Sequence, residues 1–192
     1  MKPGTRALGV AASGGGDRAT VAGAVVRATR VVDGFSFTSC TVGGLDSTAA
    51  VTECYERLDR EDVRYVLLAG VAPAWFNVVD LRAVHDAVDR PVLSVSFEAS
   101  DGLRDPIERE FAGAAREDRL ALYESLPDRH SLDVNSEHLF VRSVGCENPD
   151  EVVAAFTPEG GRPEPLRVAR LAARAVDQRE TVERANGEQR DP

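Results

Sequence analysis

Trp75, Asn77 and Asp80 stand within one short stretch, LLAGVAPAWFNVVD, which leaves a continuous apolar run at Ala69. Loops at the carboxyl edge of an open α/β sheet are where such folds place their ligands. There Trp75 would stack on a base, while Asn77 would read a base edge or hold a backbone turn. The plainer alternative is a hydrophobic plug, with Asn77 or Asp80 capping the next helix. A second set lies in PEPLRVARLAARA. Arg167, Arg170 and Arg174 recur at helical spacing and form one basic stripe, with Leu166, Ala169, Leu171 and Ala173 mostly packing elsewhere. Arginine forks suit phosphate oxygens, although a solvated charged face is the commoner use of such a stripe. Pro163-Glu164-Pro165 stiffens the chain just before it and fixes where Glu164 points.

Other chemistries fall away. Gly14-Gly15-Gly16 suggests a phosphate cradle, but such a cradle must open a helix, and here the glycines lead into the β-like Ala19–Val26. No GxGxxG or GK[ST] motif occurs, so the glycines read as a hairpin turn. His85, His130 and His138 lie beside no serine elbow. Cys40, Cys54 and Cys146 match neither a zinc spacing nor a disulfide framework and read as small buried residues.

The elements that must position these groups follow from periodicity. Arg6–Ala11, Thr20–Thr29 and Gly34–Val42 read as three antiparallel strands, with Phe35 and Phe37 on one face. A helix follows, with Asp46 as its N-cap and Ala50, Val51, Cys54, Tyr55 and Leu58 on its apolar side. Val63–Ala69 is an unbroken apolar run, as expected of a central parallel strand buried on both faces. Val78–Val88 reads as a helix and Pro91–Phe97 as another strand. Three strands, helix, strand, helix, strand make an α/β mixed sheet covered by helices. Beyond Glu98 the pattern predicts a helix over Pro106–Ser125, broken near Gly113, and two short strands within Leu132–Val144 turning at Asn135-Ser136. Asn148-Pro149 opens a helix to Phe156, and Pro165–Arg179 forms the last. Residues 1–179 read as a single domain. Residues 180–192 are charged and read as a frayed helix or disordered tail.

The net charge is −9, and Lys2 is the only lysine among 23 basic residues. Acid excess with lysine nearly absent points to a salt-adapted source. In brine the Debye length falls to about 3 Å, so overall negative charge does not exclude a nucleic-acid partner. It does require short-range contacts in place of a broad basic surface. No apolar run approaches the roughly 18 residues of a membrane span, and the amino terminus lacks a signal-peptide pattern. A cytoplasmic location with no membrane partner is the expectation.

MKPGTRALGV, TVGGLDST, VRYVLLAGVAPAWFNVVDL, RPVLSVSFE and PEPLRVARLAA occur in this order, and with this spacing the chain resembles the archaeal endonuclease dU family from Lys2 to Val176. That family is similar to endonuclease V and has the ribonuclease H-like fold. The resemblance implies a mixed sheet of that type, Mg²⁺ or Mn²⁺ as cofactor, and DNA cleavage near deaminated bases such as deoxyuridine. It also implies Asp in a GIDD-like motif where this chain has Gly9-Val10-Ala11-Ala12, Asp in L-D-G where it has Leu68-Ala69-Gly70, and His where it has Arg170. Ala11, Ala12 and Ala69 thus stand where metal-binding carboxylates are expected. Asp46 matches and is the remaining candidate metal ligand; Asn77, Asp80, Glu164 and Arg167 match as well. Three readings follow. The first is a homologue that binds deaminated or single-stranded DNA through Trp75, Asn77, Arg167, Arg170 and Arg174, with a degenerate metal centre. The second is an enzyme with a relocated catalytic site of Asp46, Asp80 and Glu98. The third is a non-nuclease module that binds a small molecule or a protein.

Overall fold

The structure, a computed structural model, describes residues 1–97, 99 and 102–188, with side chains up to residue 179. The chain opens with an antiparallel meander, β1 (Arg6–Ser13), β2 (Arg18–Arg27) and β3 (Val32–Thr41). Helix α1 (Ser47–Glu56) crosses to β4 (Val63–Ala69), which pairs parallel with β1, and α2 (Leu81–Val88) crosses to β5 (Val92–Ser96), parallel with β4. Then come α3 (Arg104–Glu110), α4 (Ala114–Glu124) and a hairpin of β6 (His130–Val134) and β7 (Glu137–Val144). Strand β7 adds antiparallel to β5, and α5 (Pro149–Ala155) and α6 (Glu164–Glu188) complete the fold. The seven strands lie in the order β3-β2-β1-β4-β5-β7-β6. The mixed sheet expected from the sequence is therefore present, widened by the β6–β7 hairpin.

Alternation along the central strands builds two cores. Leu8, Val10, Val66, Leu68 and Val92 point to the face covered by α1 and α2. Ala7, Leu67, Leu93 and Val95 point to the opposite face, with Phe156 and Leu166 from the α5–α6 side. Each such buried Val, Leu or Phe side chain stabilises the fold by roughly 1.5–3 kcal/mol. Helix α6 lies close against β1. A Cβ at Gly9 would sit 2.2 Å from the Pro165 carbonyl carbon, so only glycine lets this helix begin where it does.

Several boundaries differ from the sequence-based expectation, for local reasons. Strand β1 continues to Ser13, so Ala11 and Ala12 are ladder residues opposite Ala22 and Val21 and do not end the strand. Helix α2 starts at Leu81 because Asp80 caps it; Val78 and Val79 precede it as buried, non-helical residues. Asn148 precedes α5 without a side-chain cap, Pro149 at the first helical position already suiting the helix start. Leu171, expected to pack, is 54% exposed, while Leu166, Ala169 and Ala173 are buried. Helix α6 runs on to Glu188, beyond the expected end at Arg179; residues 189–192 lie outside the described residues.

Candidate nucleic-acid interface

Asp46 occupies the N-cap position of α1 but does not cap it. Its carboxylate turns back to the end of β3, where Oδ1 and Oδ2 each accept from the Thr41 amide at 3.0 Å and Oδ2 accepts from the Thr41 hydroxyl at 2.9 Å. Asn77 Nδ2 donates to Oδ1 at 2.7 Å. Burial pushes this carboxyl up, but the bonds from Asn77 and Thr41 together outweigh it, and the group lies below the usual carboxylate range. The cap is supplied from elsewhere: Asn77 Oδ1 accepts from the Ser47 amide at 2.9 Å, and its Nδ2 also donates to the Thr41 carbonyl at 2.7 Å. Asn77 is 0% exposed. Of its two expected roles the structure places it in the second, holding backbone; an amide with every arm engaged inside the protein has none left for a base edge.

Asp80 is likewise engaged. Its Oδ1 accepts from the Arg82 and Ala83 amides at 2.9 and 3.0 Å, and its own amide donates to Thr48 Oγ1 at 2.9 Å. This is the capping role that the sequence left open for it. Glu98, the third member of the relocated-site reading, lies outside the described residues. Among the described residues no group of three His, Cys, Asp or Glu side chains could hold a metal ion. The three alanines divide between the two faces of the sheet. Ala11 packs with Ala69, Val168 and Ala169 beneath α6, whereas Ala12 points to the α1–α2 face. Mg²⁺ requires a near-octahedral set of oxygens, usually including one or two carboxylates. Here one half-buried carboxylate, Asp46, has both oxygens occupied by protein donors, and the neighbouring strand positions carry methyl groups. The described donor set does not fit such an ion.

Trp75 lies above this network and is 53% exposed. Trp75 and Phe76 both have positive φ, +44° and +58°, an uncommon conformation for bulky residues. The ring packs across Gly43, where any Cβ would come within 2.6 Å of it, and meets Phe76 and Phe111 at centroid distances of 5.6 and 5.3 Å. Beneath Phe111 lies Arg119, its guanidinium 4.0 Å from the ring centre. Arg119 donates to the carbonyls of Gly43, Gly44 and Ala115, and burial holds it below the usual arginine range. This buried arginine fixes the turn between β3 and Asp46. Sequence reasoning missed it because its partners lie some seventy-five positions away in the chain.

The arginine stripe on α6 divides. Arg167 is held by Glu164 in a two-pronged pair at 2.6 and 2.7 Å, which keeps the Glu164 carboxyl below its usual range, burial opposing. Arg170 instead lines a cavity at the carboxyl ends of β4 and β5, while Arg174 is exposed. Arg129, Arg142 and Arg162 line the same cavity. None of these three carries a periodic or motif signal, since they come from separate elements.

The model of the family described as Endonuclease dU matches residues 3–177. A UPF0215 protein of Methanopyrus kandleri is 32% identical over 190 residues, 94% of this chain and 95% of its own length. A UPF0215 protein of Thermococcus kodakarensis is 31% identical over 164 residues, 83% of this chain and 82% of its own length. Among solved structures, a protein of unknown function from Archaeoglobus fulgidus superposes with a TM-score of 0.78 at 26% identity, covering 89% of this chain and 97% of that one. Endonuclease V from Ciona intestinalis, solved with inosine-containing DNA, superposes at 0.60 with 11% identity over 91% of this chain and 86% of that one, a likeness of fold. The sheet is thus of the ribonuclease H-like type, and the chain belongs to the Endonuclease dU family.

Proposed function

We propose that this chain is a nucleic-acid-binding member of the family that engages deaminated or single-stranded DNA and does not itself assemble the metal centre needed to cleave it. The observation that carries this reading is the state of Asp46. The remaining candidate metal ligand, Asp46, is saturated by Thr41 and Asn77 and serves the turn that presents Trp75. A carboxylate committed in this way contributes order to a binding surface more readily than charge to an ion. Family membership and the DNA-bound endonuclease V neighbour support a nucleic-acid ligand. Trp75 supplies a stacking platform, and Arg170 and Arg174 supply charge for phosphates.

Titration of the lone tryptophan's fluorescence with uracil-containing single-stranded DNA, together with a nicking assay in Mg²⁺ or Mn²⁺ at high salt, tests this reading. Saturable quenching without nicking is expected. Efficient nicking that Asp46→Ala abolishes would overturn the loss of cleavage, and a flat titration would overturn the nucleic-acid ligand.

A further inference from the structure

The cavity at the carboxyl ends of β4 and β5 has a volume of about 360 Å³ and is floored by Ala69–Ala72 and Ser94–Phe97. Pockets for small ligands span roughly 300–1,000 Å³, so this one takes a group of nucleotide size and not a duplex. Its chemistry is unusual for so acidic a chain. Arg129, Arg142, Arg162 and Arg170 all line it, and no carboxylate does among the described residues.

These side chains converge from both faces of the sheet. Arg142 on β7 lies opposite Ser94 in register and donates to the Pro127 carbonyl and, at 3.4 Å, to the Tyr123 hydroxyl. Arg162 lies over the Phe97 ring, its guanidinium carbon 4.2 Å from the centre, and Arg129 over Phe140 at 4.3 Å. Stacking on a ring leaves the edge of the Arg162 guanidinium, with its N–H forks, available for an oxyanion. Among the described residues Arg162 and Arg170 have no carboxylate partner, in contrast to Arg167 one turn earlier. Burial, then the charges of Arg170 and Arg174, hold Arg162 below the usual arginine range. Like charges gathered in a partly enclosed space repel one another, and a bound anion removes that cost.

We infer that this cavity receives the terminal phosphate of a nucleic-acid strand, gripped by Arg162 and Arg170 with Arg129 and Arg142 at its rim. A phosphomonoester carries close to two negative charges at neutral pH, against one for an internal diester, so a concentrated cluster of guanidinium groups favours a strand end. The inference rests on the nucleic-acid reading and adds the chemical group that is recognised.

The test uses the full chain and labelled single-stranded uracil-containing oligonucleotides with a 5′-phosphate, a 3′-phosphate or neither. A phosphorylated end, of one polarity or both, is expected to bind at least about tenfold more tightly than the unphosphorylated strand. Arg162→Gln and Arg170→Gln should each erase that preference, while Arg82→Gln, on the exposed side of α2, keeps it. Thermal melting of each variant shows whether it is folded. Equal binding of all three oligonucleotides would overturn the terminal-phosphate site and leave the nucleic-acid reading standing. Binding of none would overturn both.

Discussion

Asn77 Nδ2 donates to Asp46 Oδ1 at 2.7 Å while Asn77 Oδ1 caps α1 through the Ser47 amide, so one side chain ties the β3–α1 turn to the loop after β4. Asn77→Ala strands the Ser47 amide, while the Thr41 carbonyl keeps its bond from the Gly44 amide at 3.1 Å. A buried amide left unpaired costs about 1–3 kcal/mol, and a loss within that range is expected in urea unfolding. Asn77→Asp is the sharper variant, because it sets a second carboxylate against Asp46 in a buried position. The like charge raises the new group's pKa above its unfolded value, so this variant should be nearest to wild type at low pH and lose ground as pH rises. Equal stability of Asn77→Asp and wild type at neutral pH would show that Asn77 and Asp46 are not held in contact.

How far the sequence carried this picture depended on how local each cause was. The apolar run Val63–Ala69 and the break at Gly113 are properties of consecutive residues, and both were legible. The split between Ala11 and Ala12 was legible too, since adjacent strand residues face opposite ways. Asp46 has the right type and position for a cap, but two nearer donors on Thr41 and the amide of Asn77 claim it first. The clustering of Arg129, Arg142 and Arg162 arises only when β5, β7 and the segment before α6 meet, so no window of sequence contains it.

Gly9 tests how α6 is seated. A Cβ there would meet the backbone carbon and oxygen of Pro165 at 2.2 and 2.3 Å, with no flexible side chain to give way. Gly9→Ala should therefore displace the start of α6 and cost about 1–3 kcal/mol, as other overpacked sites do. Because Arg162 and Arg170 flank that start, the same variant should also weaken any preference for phosphorylated ends. An unchanged melting temperature would show that the helix is not seated this tightly.

Asp33 gives a defined pH dependence. It accepts from Arg27 Nε and Nη2 at 2.6 and 2.8 Å and also from Arg6 Nε. The Arg27 bond, opposed by burial and aided by Arg6, lowers its pKa from 3.8 to about 2. With the folded value below the unfolded one, its stabilisation is complete above the unfolded pKa and disappears as pH falls towards about 2. Comparing urea midpoints of wild type and Asp33→Asn from neutral pH downwards should show a gap that closes over that interval. A gap independent of pH would mean that packing, and not ionisation, carries the effect.

Trp75 separates a binding role from a structural one. Its ring rests on Gly43, Phe76 and Phe111 yet remains 53% exposed, and its positive φ is a conformation that bulky residues resist. Lost ring contact and relieved backbone strain oppose each other in Trp75→Gly, so the change in stability should stay within about 1 kcal/mol. The effect on DNA should be larger. Stacking on an aromatic side chain contributes about 1–3 kcal/mol per base, and the variant should bind single-stranded DNA correspondingly more weakly. Anisotropy of labelled DNA reads this without the tryptophan signal. Full affinity in a folded Trp75→Gly protein would make this side chain a plug over Gly43 and move the base-binding surface elsewhere.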